Sequence, residues 1–158
     1  AKLKPRAARA GLSNVHPACI VNESDLRIKR LSGKIDRVLV DAPCSGLGTL
    51  RRNPDLKWRQ TPASVAELCV KQRDILRAAA HMLKVGGRLV YATCSILDEE
   101  NSAIVNAFLL EHPNFVRLSS RKILKAQGIE IDCGDDLRLL PHVHGTDGFY
   151  AAVLQRQS

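Results

Sequence analysis

Apolar and polar positions in this chain follow two different periods. Ile35 to Val40 is a short apolar-rich stretch ending at Asp41, and Arg88-Leu89-Val90-Tyr91-Ala92 is a second, running into Thr93-Cys94. Stretches of this length bounded by turn residues predict strands. The unbroken Val38-Leu39-Val40 predicts a strand buried on both faces, as in a parallel sheet. Between the two, Val65, Leu68, Cys69, Ile75, Leu76, Ala79 and Leu83 recur at helical spacing. That pattern predicts a helix from Pro62 to about Leu83. Thr61 is placed to cap it, Pro62 to open it and Gly86-Gly87 to stop it.

The flanking segments extend the alternation. Lys4 to Ala10 favours helix, with Gly11 placed to end it. Pro17-Ala18-Cys19-Ile20-Val21 predicts a further short buried strand, and Leu26 to Leu31 a turn of helix. The long stretch from Asp41 to Thr61, with Pro43, Gly46, Gly48 and Pro54, predicts a functional loop. Ser95 and Asp98 carry capping-box spacing ahead of a second helix that ends near His112-Pro113. Phe115 to Leu118 predicts a strand, whereas Ser119 to Asp136 has no strong period and is expected to be irregular. Leu137 to Leu140 and Phe149 to Leu154 predict a strand pair joined by Pro141 through Gly148. Strands alternating with helices imply one α/β layer structure with an antiparallel end.

Charge changes this picture by adding a partner class. Lys and Arg total 24 against 16 Asp and Glu, a formal net charge of +8 in 158 residues. Such an excess favours a polyanion, and nucleic acid is the usual one. Aromatic residues make up only 4%, which fits tracking of a phosphate backbone better than a surface of stacking platforms. No apolar run approaches the roughly 20 residues that cross a membrane, and the basic start lacks the apolar stretch of a signal peptide. Five cysteines, none in a CxxC pair, do not form a disulfide framework and predict a reducing, cytoplasmic setting. His142 and His144 lack a third ligand at sensible spacing, so no metal site is expected.

Candidate chemistry gathers at the two strand ends. Cys44 lies in Asp41-Ala42-Pro43-Cys44-Ser45-Gly46 and Cys94 in Ala92-Thr93-Cys94-Ser95. In an open α/β sheet this edge carries the active site, and two thiols there suit covalent chemistry. A helix start at Ser95 to Asp98 would supply a field favouring ionised Cys94. Asp41, directly after a buried strand, is a further candidate. Arg51, Arg52, Lys57 and Arg59 beside Cys44 read as phosphate contacts. Trp58 reads as a loop anchor in the core or a stacking platform, with the anchor favoured. Cys19, Cys69 and Cys133 read as small buried hydrophobes.

Four segments carry a resemblance to a known family. They are Asp41 through Gly48, Arg51 through Arg59, Leu89 through Ser95, and Pro141 through Phe149 with its His144-Gly145-Thr146-Asp147-Gly148. In this order they resemble the RNA cytosine-5 methyltransferases of the Sun/Fmu type, the bacterial small-subunit ribosomal RNA enzymes in particular. The resemblance implies methylation of carbon-5 of a cytosine in RNA with S-adenosyl-L-methionine. It implies Cys94 as the nucleophile on carbon-6, Cys44 as the group assisting release, and Asp41 at the base and the cofactor. Asp25 is similar in place to a cofactor-contacting acid. DNA cytosine-5 methyltransferases instead use a Pro-Cys nucleophile, which would move that role to Cys44, and a non-catalytic RNA-binding module is the third reading.

The same resemblance implies a Rossmann-like class I methyltransferase fold, mostly parallel, with the fourth, fifth, seventh and sixth strands as successive neighbours. Residues 1–158 would then be the C-terminal part of a catalytic domain, because no Gly-rich cofactor loop precedes the Cys19 segment. The chain alone is accordingly expected to bind cofactor poorly, and to depend on a further N-terminal segment or a partner chain.

Overall fold

A computed structural model describes residues 3–158. Helix α1 (Leu3–Arg9) and the short α2 (Leu26–Lys29) precede strand β1 (Ile35–Asp41). The long loop after β1 holds a 3-10 turn at Leu47–Thr49 and the one-turn α3 (Leu56–Arg59). Then follow α4 (Pro62–Met82), β2 (Leu83–Thr93), α5 (Ser102–Glu111) and β3 (Phe115–Leu118). The chain closes with α6 (Ser120–Ala126), β4 (Leu137–Leu139), α7 (Pro141–His144) and β5 (Phe149–Arg156).

The strands lie side by side in the order β1-β2-β5-β3, with β4 beside the start of β5. β1 and β2 are parallel, while β5 runs antiparallel to β2, β3 and β4. This is the neighbour order the resemblance implies for the fourth, fifth, seventh and sixth strands. Antiparallel pairing takes a larger share than expected, because the one reversed strand, β5, sits between β2 and both β3 and β4. The α/β class stands as a mixed sheet.

The core lies on one face of this sheet. Val40, Leu89, Tyr91, Ala152 and Leu154 pack there with Leu76, Ala79 and Ala80 of α4 and Ile104, Val105 and Phe108 of α5. The opposite face of β1 is open. Leu39 is 70% exposed, so the expectation of burial on both faces fails, as Val38 and Val40 alone turn towards the helices. The outer edge of β1 is likewise unpaired among the described residues.

That free edge explains a second correction. Pro17 to Val21 forms no strand, Cys19 is exposed and Val21 is 87% exposed. A short apolar run gains strand geometry only from a ladder partner and a covered face, and neither is present. Other differences are local. α6 forms where no period was evident, because Ser119 caps seven residues by accepting from the Lys122 amide. β2 starts at Leu83, ahead of the two glycines. Pairing passes from Ile35 with Leu83 to Arg37 with Arg88, and the extra β2 residues turn at Gly86 with a positive φ of 76°.

The start of α4 is as predicted. Thr61 Oγ1 accepts from the Ser64 amide at 3.1 Å, Ser64 Oγ accepts from the Thr61 amide at 2.9 Å, and Pro62 opens the helix. Thr61→Ala removes half of this reciprocal cap and is expected to lower unfolding free energy by about 1 kcal/mol. A urea titration with an unchanged midpoint would show that the cap contributes nothing.

Candidate active site at the sheet edge

Register brings the two cysteine segments together. Asp41 stands opposite Ala92 in the parallel ladder, and the Ala42 amide donates to Ala92 O at 2.9 Å. Both strands therefore release their chains at the same edge, as the rule for open α/β sheets requires. Cys44 Sγ and Cys94 Sγ meet at 3.4 Å, and both residues are half-buried.

Each loop is tied in place residue by residue. Gln72, fully buried on α4, donates to Pro43 O at 2.9 Å, and Gln60 donates to Ser45 O at 3.0 Å. The buried Glu100 carboxylate accepts from the Ser45 amide at 2.8 Å and from Ser45 Oγ at 2.5 Å. On the other loop, Thr93 Oγ1 donates to Asn101 Oδ1 and Asn101 Nδ2 donates to Ser95 O at 2.9 Å. Neither Glu100 nor Asn101 was among the predicted site residues. For Glu100 the signal is spacing: it falls four residues before Ile104 and eight before Phe108, in line with the apolar stripe of α5 but in the 3-10 turn that precedes the helix.

A third segment closes the edge. The Gly48 amide donates to Cys94 O at 2.9 Å and the Gly148 amide to Gly48 O at 2.8 Å. A Cβ on Gly48 would stand 2.2 Å from Gly148 O and 2.8 Å from Cys94 O, so only glycine admits this crossing. The His144-to-Gly148 stretch thus lies at the thiol edge, as its resemblance implies. Asp147 pairs with Arg51 Nε at 2.8 Å and with Arg52 Nε at 2.7 Å.

The remaining predicted residues are placed as follows. Asp41 is exposed at the end of β1, on a groove of about 380 Å³ that Ile20, Leu39, Val40 and Pro43 also line. Asp25 is not among the residues lining that groove, and both its oxygens are engaged as the cap of α2. They accept from the Arg27 and Val21 amides and from the Arg27 guanidinium, which hold its carboxyl well below the usual carboxylate range. Arg59 pairs with Asp55 at 2.7 Å, and the Lys57 ammonium lies 4.8 Å from the Trp58 ring centre. Trp58 is 79% exposed, which overturns the core-anchor reading. Leu56, not Trp58, touches the turn at Gly46.

Two expectations about the thiols also change. The capping box at Ser95 does not form: Ser95 Oγ is buried, 3.3 Å from Ser45 Oγ, and accepts from the Leu97 amide. α5 starts only at Ser102, too far from Cys94 for a terminal field that fades within a turn. Burial, and then the neighbouring Cys94 thiol, push Cys44 up to about 12. Cys69 and Cys133 are buried, and all five cysteines are free. No group of three or more potential metal ligands occurs among the described residues, and no helix of theirs is long and apolar enough to cross a membrane.

A mixed α/β sheet with paired thiols at the ends of its parallel strands is the frame of a Rossmann-like methyltransferase domain. Residues 2–155 match the family described as 16S rRNA methyltransferase RsmB/F, and the chain belongs to that family. It is 41% identical to a probable ribosomal RNA small subunit methyltransferase B of Synechocystis sp., over 98% of this chain and 34% of that protein. A probable ribosomal RNA small subunit methyltransferase B of Bacillus subtilis is 38% identical, over 98% of this chain and 35% of its own length. The crystal structure of NSun6 from Pyrococcus horikoshii with SFG superposes with a TM-score of 0.79 at 28% identity, covering 99% of this chain and 38% of that one. The chain thus spans about a third of the length of the relatives it matches.

The thiols differ enough in setting to be told apart by alkylation. Exposed Cys19 is expected to react first with iodoacetamide, and Cys44 at least tenfold more slowly at pH 8. Because the thiol is the unreactive form and persists below about 12, raising the pH to 10 leaves that lag in place. Equal rates by peptide mapping would contradict the buried setting of Cys44.

Proposed function

We propose that this chain carries the base-modifying half of an RNA cytosine-5 methyltransferase acting on ribosomal RNA, with Cys94 as the nucleophile. The observation that carries the reading is the 3.4 Å thiol pair at the shared end of β1 and β2, in a chain of the RsmB/F family. Carbon-5 of cytosine is a weak nucleophile. Addition of the Cys94 sulfur to carbon-6 moves electron density onto it, splitting one hard step into easier ones. S-adenosyl-L-methionine supplies the electrophilic methyl group. The carbon-5 proton then leaves to water, the ring double bond re-forms and the carbon-6–sulfur bond breaks. Cys44, kept as a thiol by burial, donates its proton to the departing Cys94 sulfur. A Cys44 held as a thiol suits release, and the likeness of Leu89 through Ser95 to the second cysteine motif of the RNA enzymes favours Cys94 as the nucleophile.

Asp41 is the carboxylate available at the edge for the base and the cofactor, whereas Asp25 already satisfies both oxygens in its cap. The groove beside Asp41 is apolar and open along β1, so cofactor binding requires further polypeptide over that edge. Arg51, Arg52 and Arg59 keep 48%, 67% and 73% of their side chains exposed despite their ion pairs. With Lys57 they form the basic face for RNA phosphates. Exposed Trp58 adds a ring on which an unstacked base can lie.

Two measurements test this. Grafted in place of the matching third of the Bacillus subtilis relative, this sequence is expected to give covalent adducts with RNA containing 5-azacytosine. Cys94→Ala is expected to abolish those adducts, and Cys44→Ala to make them accumulate with ordinary RNA. Adducts that survive Cys94→Ala and vanish with Cys44→Ala would reverse the assignment. Calorimetric titration of the chain alone with S-adenosyl-L-methionine is expected to show no heat of binding, and micromolar affinity would contradict the need for a covered edge.

A further inference from the structure

Glu100 and Asn101 are 0% and 1% exposed and stand side by side ahead of α5. Between them they hold both neighbours of Cys94 and one neighbour of Cys44. Glu100 Oε1 accepts from the Ser45 amide at 2.8 Å and from Gln72 Nε2 at 3.0 Å, while Oε2 accepts from Ser45 Oγ. The same Gln72 amide donates to Pro43 O at 2.9 Å, so Cys44 is bracketed on both sides. Asn101 accepts from Thr93 Oγ1 and donates to Ser95 O, which brackets Cys94. Tyr91 Oη donates to Glu100 O at 2.7 Å and anchors the dipeptide to β2.

A carboxylate is costly to bury, and here its three donors, one backbone amide and two side chains, are all uncharged. An apolar residue of similar volume would serve the core at least as well. What it would not do is hold the Ser45 amide, the Ser45 hydroxyl and the Gln72 amide group in one arrangement. The buried acceptor pair of Glu100 thus fixes the position of the Cys44 loop.

We propose that Glu100 and Asn101 are positioning residues that set the contact between Cys44 and Cys94, each fixing one cysteine loop from a shared point on the chain. The inference rests on the covalent-methylation reading for its purpose, which is to keep the releasing thiol against the attacking one. The geometry itself is independent of RNA.

The test uses phenylarsine oxide on the chain itself. This reagent condenses with two adjacent thiols, forming two arsenic–sulfur bonds and releasing one water. Intact mass and alkylation mapping are expected to show one arsenical bridging Cys44 and Cys94. Glu100→Gln keeps the side chain's shape but turns one acceptor into a donor facing Ser45, and Asn101→Ala frees Thr93 and Ser95. Each is expected to weaken bridging at least tenfold. Ser45→Ala loses only a hydroxyl and keeps the fold, and is expected to weaken it about threefold. Leu154→Ala, a core substitution on β5, is expected to bridge like the parent at matched loss of melting temperature. A parent chain that does not bridge, or folded Glu100→Gln and Ser45→Ala chains that bridge as the parent does, would overturn the proposal.

In the graft, Glu100→Gln is expected to raise the ratio of trapped RNA adduct to product, since release slows more than attack. Adduct and product falling in proportion would mark a structural role alone. Loss of bridging in the variants with no RNA adduct from the parent graft would retire the methylation reading and leave the thiol positioning standing.

Discussion

The hydrogen bonds between the buried Glu100 carboxylate and Ser45 are what the site depends on. Parallel pairing of β1 and β2 brings two chain segments to one edge of the sheet, but it does not set where Cys44, three residues beyond β1, and Cys94, directly after β2, will lie. That is decided by ties made from the helical layer. Glu100 reaches Ser45, Gln72 reaches Pro43 and Asn101 reaches Thr93 and Ser95. Because Glu100, Gln72, Asn101, Ser45, Thr93 and Ser95 are buried, release of any one leaves donors or acceptors without water, at a cost of about 1–3 kcal/mol apiece. The loops are therefore held by the expense of the alternatives as much as by the bonds themselves.

The second constraint is close approach. The Gly48 crossing lets one backbone pass between Cys94 and Gly148, and it draws Asp147 up to Arg51 and Arg52. Positive charge on the loop is thus aimed by a carboxylate from another segment and remains open to solvent. Core, thiol loops and basic face form a continuous sequence. The apolar layer fixes the helices, the helices fix the polar ties, and the ties fix the sulfur atoms. The open side of β1 stands apart from this order, with Leu39 bare and the Pro17-to-Val21 segment unpaired.

Much of this was legible in the residues. The start of α4 reads directly from Thr61-Pro62, because capping is local chemistry. The two strand ends and their cysteines read from short apolar stretches, and the neighbour order of the sheet came from resemblance. What failed was long-range. Leu39 and Cys19 looked buried because apolar character does not reveal whether anything lies opposite. Ser95 has the spacing of a cap, yet its hydroxyl is drawn into the buried contact with Ser45. Trp58 has the composition of an anchor, and its neighbour Leu56 takes that place. Glu100 sits in the acidic run Asp98-Glu99-Glu100, which reads as a solvated turn until its spacing to Ile104 and Phe108 is weighed.

The most direct measurement is tandem mass spectrometry of the covalent complex formed by the unmodified cysteine pair with RNA containing 5-azacytosine, in the grafted enzyme. The nucleotide mass is expected on Cys94, with Cys44 recovered as a free thiol. The nucleotide on Cys44, with Cys94 free, would contradict it.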